Sequence, residues 1–335
     1  MYRSNALVNC LRLGVVLPLA LLITLLPSLA VAQGQYNFIV PPAYNGTGNQ
    51  FVADFNGDGK PDLLDSYGNL QLGNGDGTFT AGIPVPGNPL AVADFNGDGK
   101  PDVLEQGTGT LLVLLGNGDG TFQAPISTDS GADLTGIAAG DLNGDGKADV
   151  VGVFNGSMLV YLSKGDGTFA AGVPYSLGTT STPSAPITLA DFNGDKKTDA
   201  VVSVEGSNGP GPEIVFLGNG DGTFQTALTS PGVDGPESVV AGDFNGDGKL
   251  DLAISFSGTP TSVPPGVSVL LGNGDGTFQA PTIVIPTDGS LAVADLNGDG
   301  KLDLVLQNFP ADRISWPRFI WVTALEHFPI LAAIS

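Results

Sequence analysis

Oxygen-bearing side chains recur through this chain at a spacing that suits a hard cation. In the stretch DFNGDGKPD, Asp54, Asn56, Asp58 and Asp62 hold positions 1, 3, 5 and 9, and the carbonyl of Lys60 is available at position 7. Five further copies carry Asp94, Asn96, Asp98, Lys100 and Asp102, then Asp141, Asn143, Asp145, Lys147 and Asp149. After these come Asp191, Asn193, Asp195, Lys197 and Asp199, then Asp243, Asn245, Asp247, Lys249 and Asp251, and last Asp295, Asn297, Asp299, Lys301 and Asp303. A cation that takes six to eight oxygens at about 2.3–2.6 Å is calcium. These residues are therefore the expected ligands of up to six Ca2+ ions, with position 9 giving one or both carboxylate oxygens.

Turn propensity alone does not explain four matched oxygens repeated six times. Glycine at position 6 lets the chain turn sharply back to the ion. The fourth loop has Lys196 there; a left-handed backbone at that residue costs about 1 kcal/mol or more, so this site is expected to bind most weakly. The ions are expected to be mainly structural. With about 1 mM calcium and a constant near 0.1 mM, linkage contributes on the order of 1.4 kcal/mol per site, so stability is expected to depend on calcium.

The loops must sit on regular elements. Successive copies start 40, 47, 50, 52 and 52 residues apart, a period typical of propeller blades. A second signature, GNGDGTF, starts at Gly73, Gly116, Gly218 and Gly272, with SKGDGTF at Ser163. Aligned on the shared NGD, its ends are Leu72 and Thr80, so only Asn74 and Asp76 keep side-chain oxygens. It reads as a hairpin turn. Short apolar segments flank both motifs, as in Leu90–Ala93, Val103–Leu104, Leu111–Leu115 and Phe122–Ile126 of the second repeat. That is four strands per period in a meander, with no sustained helical periodicity. The expected fold is all-β: a β-propeller of four-stranded antiparallel blades. Six blades are expected, with a seven-bladed or truncated ring as alternatives.

The DxNxDGxxD loops followed by apolar strands resemble FG-GAP repeats, the unit of the integrin α-subunit propeller. Val113–Pro125, VLLGNGDGTFQAP, resembles the bacterial VCBS-type variant of that repeat. The resemblance spans about residues 36–308 and implies an extracellular, calcium-bearing module for binding or cell adhesion. EF-hand and dockerin loops share the first half of the pattern but need a twelfth-position acid and flanking helices.

Composition sets the surroundings. Residues 1–32 read as a secretory signal peptide: Arg3 and Arg12 precede the apolar run Leu13–Leu26, and Ala30-Val31-Ala32 offers a cleavage site. The expected location is therefore secreted, extracellular or at the cell surface, or periplasmic in a bacterium. Cys10 is the only cysteine, so beyond the signal peptide no disulfide forms and metal ions are the candidate staple. The formal charge is −22, and 18 of the 34 acidic residues lie in the six loops. With no basic patch, nucleic acid is excluded as a partner. Residues 33–308 are read as the repeats and 309–335 as a divergent tail holding Arg313, Trp316, Arg318, Trp321 and His327. The tail either improvises a missing strand or is an altered end. Its apolar run is broken by Glu326, His327 and Pro329, so no membrane span is expected outside the signal peptide. Tyr36–Pro42 resembles the strand that follows a GDGTF turn and is expected to complete the last blade.

In such a meander the calcium loops and GDGTF turns share one face. The other face carries the segments that vary most: Thr128–Thr135, Gly178–Pro186, Glu205–Glu213, Ser230–Glu237 and Ser257–Gly266. Recognition is expected there, with Asp133, Glu205, Glu213 and Glu237 as the acids within reach of a ligand. The expected partner is an extracellular protein or a glycan. A lectin-like propeller is the alternative, and a polysaccharide-degrading enzyme a weaker one, because no Ser/His/Asp set or isolated carboxylate pair stands out. No catalytic residue is assigned.

Overall fold

The structure, a computed structural model, describes residues 50–178, 187–206, 209–258, 264–295, 298, 300–308 and 318–322. Every described element is a strand. The first sheet runs β1 (Gln50–Ala53), β2 (Asp62–Asp65), β3 (Asn69–Gln71) and β4 (Ile83–Pro84), and the second β5 (Pro89–Ala93), β6 (Asp102–Gly107), β7 (Thr110–Leu114) and β8 (Ile126–Asp129). The third holds β9 (Thr135–Gly140), β10 (Asp149–Phe154), β11 (Ser157–Tyr161) and β12 (Val173–Ser176). The fourth holds β13 (Ile187–Ala190), β14 (Asp199–Ser203), β15 (Pro212–Phe216) and β16 (Leu228–Pro231). The fifth holds β17 (Pro236–Gly242), β18 (Asp251–Phe256), β19 (Gly266–Leu270) and β20 (Thr282–Ile285). Each is an antiparallel meander in chain order, and the first strands of consecutive sheets lie side by side. This is a β-propeller of four-stranded blades.

The expected count of six such blades is corrected to five. The sixth repeat gives a sheet of three described strands, β21 (Ser290–Ala294), β22 (Asp303–Asn308) and β23 (Arg318–Val322). The reason is local: this repeat has no GDGTF turn to lead from a third strand into a fourth. The third strand comes from the divergent tail. The expected signal peptide and the expected closing strand, Tyr36–Pro42, lie outside the described residues. No helix among the described residues is long and apolar enough to cross a membrane.

Burial explains the strand sequences. The middle strands are covered on both faces by neighbouring blades, so they read as continuous apolar runs: DVVGVF in β10 and GVSVL in β19 are buried almost throughout. Outer strands such as β8 (ISTD) and β12 (VPYS) are largely exposed and carry polar residues and proline. The core is therefore a series of layers between sheets. Phe55, Leu64 and Leu70 of the first blade meet Val103 and Leu114 of the second, and equivalent clusters fill the next four junctions.

One strand residue departs from its expected place. Glu213, expected in an exposed loop, sits in β15 with 1% of its surface accessible. Its Oε2 lies 2.5 Å from the Ser203 hydroxyl, which donates to it, and burial pushes its carboxyl up to about 7 from an ordinary 4.5. Because the folded value is raised, the native chain holds a proton between those two pH values that the unfolded chain has released. The contribution of this group to stability is then complete at low pH and is lost as pH rises through about 7. Glu213→Gln should remove that slope. Melting curves from pH 4 to 8 should show the variant higher than the parent at pH 8, by roughly 2–4 °C for each kcal/mol relieved, and level with it at pH 4, below the ordinary value.

Candidate functional site

Each loop is wound on its own backbone. The amide of residue 6 donates to the Oδ2 of the first aspartate in all six copies, at 2.7–3.0 Å, as from Gly59 to Asp54. The amide of residue 5 donates to the Asn at position 3, and that of residue 7 to the Asp at position 5, as in Asp58 to Asn56 and Lys60 to Asp58, both 2.9 Å. These local bonds gather positions 1, 3 and 5 on one exposed turn. They require a left-handed residue at position 6, which Gly59 supplies at φ 78° and Lys196 at φ 66°. Asn297 and Asp299 of the sixth loop lie outside the described residues.

The ninth position is placed elsewhere. Asp62, Asp102, Asp149, Asp199, Asp251 and Asp303 are fully buried. In the first five, Oδ2 accepts the amide of residue 2, as Asp62 does from Phe55 at 2.8 Å. Their Oδ1 accepts an amide at the end of the third strand, as from Gly73 to Asp62 at 2.7 Å. Burial raises these carboxyls although both amides pull them down, and Asp102 reaches about 6. Position 9, expected to give carboxylate oxygens to the same ion, thus also serves two buried N–H donors with its two oxygens. Among the described residues, no three carboxylate, histidine or cysteine side chains are grouped to hold a metal.

Lysine at position 7 pairs within its own loop. The ammoniums of Lys60, Lys100, Lys147 and Lys197 reach the Asp at position 5, at 3.0–3.5 Å. These pairs are exposed and contribute roughly 0–1 kcal/mol each. The lysine stem lies over the GDGTF turn of the same blade; a Cβ on Gly75 would stand 2.9 Å from Lys60 Cδ. The GDGTF motif is the expected hairpin turn. Gly73 pairs with Phe79, and Asp76 accepts both the amide and the hydroxyl of Thr78, which hold its carboxyl below the usual range.

Contacts across blades escaped the sequence reading. Phe at position 2 of one loop meets the Phe of the next blade's turn edge-on, in Phe55–Phe122, Phe95–Phe169 and Phe192–Phe278, at 5.6–5.9 Å. The turn Phe also donates its amide to a hydroxyl on the preceding blade's outer strand: Phe169 to Thr128, Phe224 to Tyr175 and Phe278 to Ser230. A signal for the ring pairs was present, since four of the six loops carry Phe at position 2. On the opposite face, Asp133 caps the turn at Gly109 with a 2.6 Å bond, while Glu237 is raised by burial and by Asp288.

By chemistry, Asp, Asn and Asp at positions 1, 3 and 5 with the position-7 carbonyl fit a hard cation whose remaining ligands are water. Sheets of this kind carrying such loops define a repeat β-propeller. The FG-GAP-like repeat family matches residues 54–105, 94–152, 141–202, 191–254 and 256–306, and the chain belongs to it. Among solved structures it is similar to an Agrocybe aegerita lectin that recognises non-reducing terminal N-acetylglucosamine. The two are 22% identical over 84% of this chain and 77% of the lectin, with TM-score 0.61, a likeness of fold. Looser matches are the Tc holotoxin pore of Photorhabdus luminescens (21% identity, 88% of this chain, 14% of that one, TM-score 0.48) and the V. cholerae biofilm matrix protein Bap1 (17%, 76% and 43%, TM-score 0.40). No curated protein matches.

Lys196 offers a direct check of the loop geometry. It keeps the shared bond to Asp191 at 2.8 Å in a backbone region that disfavours side chains. Lys196→Gly should therefore stabilise the chain by about 1 kcal/mol, read as a shift of the urea midpoint at unchanged slope.

Proposed function

We propose that the chain is a secreted extracellular binding module, not an enzyme, which recognises a protein or glycan through the face opposite the loops. The supporting observation is the contrast between the two faces. On the loop face the polar groups of each repeat are bonded to their own backbone or to the adjoining blade in the same way each time. On the other face the connecting segments differ from blade to blade. Glycan recognition is the second reading, favoured by the fold shared with a sugar-recognising lectin. A glycan and extracellular-protein array separates the two: protein hits alone support an adhesion module, and sugar hits alone a lectin. Shortening of a polysaccharide on incubation would overturn the non-enzymatic reading.

In the same proposal, calcium sits at positions 1, 3 and 5 of the loops and is structural. Asp145→Ala should shrink the rise in melting temperature on adding millimolar calcium by one site's share. Asp149→Ala leaves two buried amides without acceptors, at about 1–3 kcal/mol each, and should lower the melting temperature equally in calcium and in chelator. An unchanged parent melting temperature on chelation would sink the calcium reading. A loss in Asp149→Ala confined to calcium buffer would make that aspartate a ligand after all.

A further inference from the structure

Charge is divided between the two faces. Between residues 33 and 308 every cation is a lysine, and all eight lysines lie in the loops and the GDGTF turns. Of the 34 acids, 18 lie in the loops, five in those turns and two beyond residue 308, which leaves nine toward the other face. At that end of the described strands the one cation is Arg318, which opens β23 opposite Asn308. Such a surface attracts a basic partner, but charge alone does not fix where the partner is held.

Three side chains mark one place, the junction of the first and second blades. Glu105 stands three residues after the buried Asp102, where later blades have Gly152, Val202, Ile254 and Leu306. Like Val103 two residues before it, Glu105 faces the first blade. It has 5% of its surface accessible, and its Oε1 is buried without a hydrogen-bond partner among the described residues. The first blade has Asp65 at this position, but that carboxylate accepts the amides of Tyr67 and Asn69 and the Asn69 side-chain amide, all at 2.9 Å. Burial raises the Glu105 carboxyl, and no neighbouring donor or cation offsets it. An acid without a donor at an otherwise apolar core position breaks the rule that the other blades keep, a departure expected at functional sites.

The other two side chains are apolar. Five large apolar residues are exposed among the described residues, and three of them, Ile83, Val173 and Ile283, sit on outer strands. The remaining two, Tyr67 and Leu90, flank Glu105. Leu90 follows Pro89, which pairs with Glu105 across β5 and β6. Tyr67 precedes Gly68; a Cβ on Gly68 would stand 3.3 Å from the Gly87 carbonyl oxygen, and one on Gly87 would run into the Glu105 carboxylate.

We propose that this junction holds a basic side chain of a protein partner: the Glu105 carboxylate takes its ammonium or guanidinium, and Tyr67 and Leu90 cover its aliphatic stem. The proposal rests on the reading of this face as the recognition surface and names its anchor point. The incoming cation supplies the charge-assisted bond that Glu105 lacks. Its approach to the Tyr67 ring adds a cation–π attraction, and long basic side chains lay their stems along apolar surface. A neutral glycan would leave the nine acids without counter-charge.

Fluorescence anisotropy on the full chain at about 0.15 M salt, with a fluorescein-labelled tetra-arginine peptide as probe, tests the proposal. Affinity should fall about fivefold or more in Tyr67→Ala and in Glu105→Gln, and stay within about twofold of the parent in Asp129→Asn. The last variant removes the same charge from the outer strand of the second blade. Because Tyr67 is exposed, its replacement keeps the measurement independent of folding. A parent that does not bind the peptide would overturn the proposal. So would an equal loss in Glu105→Gln and Asp129→Asn with none in Tyr67→Ala; the attraction would then be diffuse charge, and recognition by this face would still stand. Neutral oligosaccharides that bind the parent and are lost in Tyr67→Ala would make the occupant a glycan and overturn it as well.

Discussion

The buried ninth aspartate of each loop is the constraint on which the rest of the blade depends. A carboxylate without solvent is costly, yet here its two oxygens meet two main-chain donors that would otherwise be buried and unsatisfied, one from the loop and one from the third strand. Asparagine would offer one acceptor where two are needed, and glutamate a longer reach in a filled space. Such charge-assisted bonds are about twice as strong as neutral ones. They tie the first hairpin to the third across the middle strand. The amide so held belongs to the residue at position 2, whose ring then points to the next blade's turn. A bond within a blade thereby aligns the contact between blades.

This arrangement divides the molecule by face. The loops and turns interlock: the position-7 lysine covers a turn glycine, and the turn's Phe is held by the preceding blade. Change at one of these positions is transmitted to a neighbouring motif, so the face tolerates little variation. The connections on the other side are also bonded, as Asp133 is to Gly109, but through residues that differ from blade to blade, so they can vary in sequence while the blade stays intact. This is the physical basis for seeking recognition there.

The strand period, the turns and the left-handed Lys196 were legible in the sequence because each is local and repeated. The ninth aspartate's hold on the backbone was not, since that bond calls for the same residue at the same spacing as a calcium loop. Its burial and its two donors are visible only in the fold. Glu213 was misread because the glycines and prolines of EGSNGPGPE mark a loop, while the strand that begins at Pro212 draws the final glutamate into the sheet. The number of complete four-stranded blades had a local signal, the absence of a GDGTF turn in the sixth repeat, which the count of six loops outweighed.

These bonds also bear on what calcium would do. In a domain whose only organising contacts are metal ligands, removing the ion unfolds the chain. Here the loop conformation is already specified by amides bonded to positions 1, 3 and 5, and its base by position 9. A cation at the rim would neutralise carboxylates held close together, with the position-7 lysine a partial substitute. Its effect on stability would then be graded and sensitive to ionic strength, adding loop by loop. The propeller would depend on calcium as a surface depends on counter-ions, while the buried aspartates keep the blades in register.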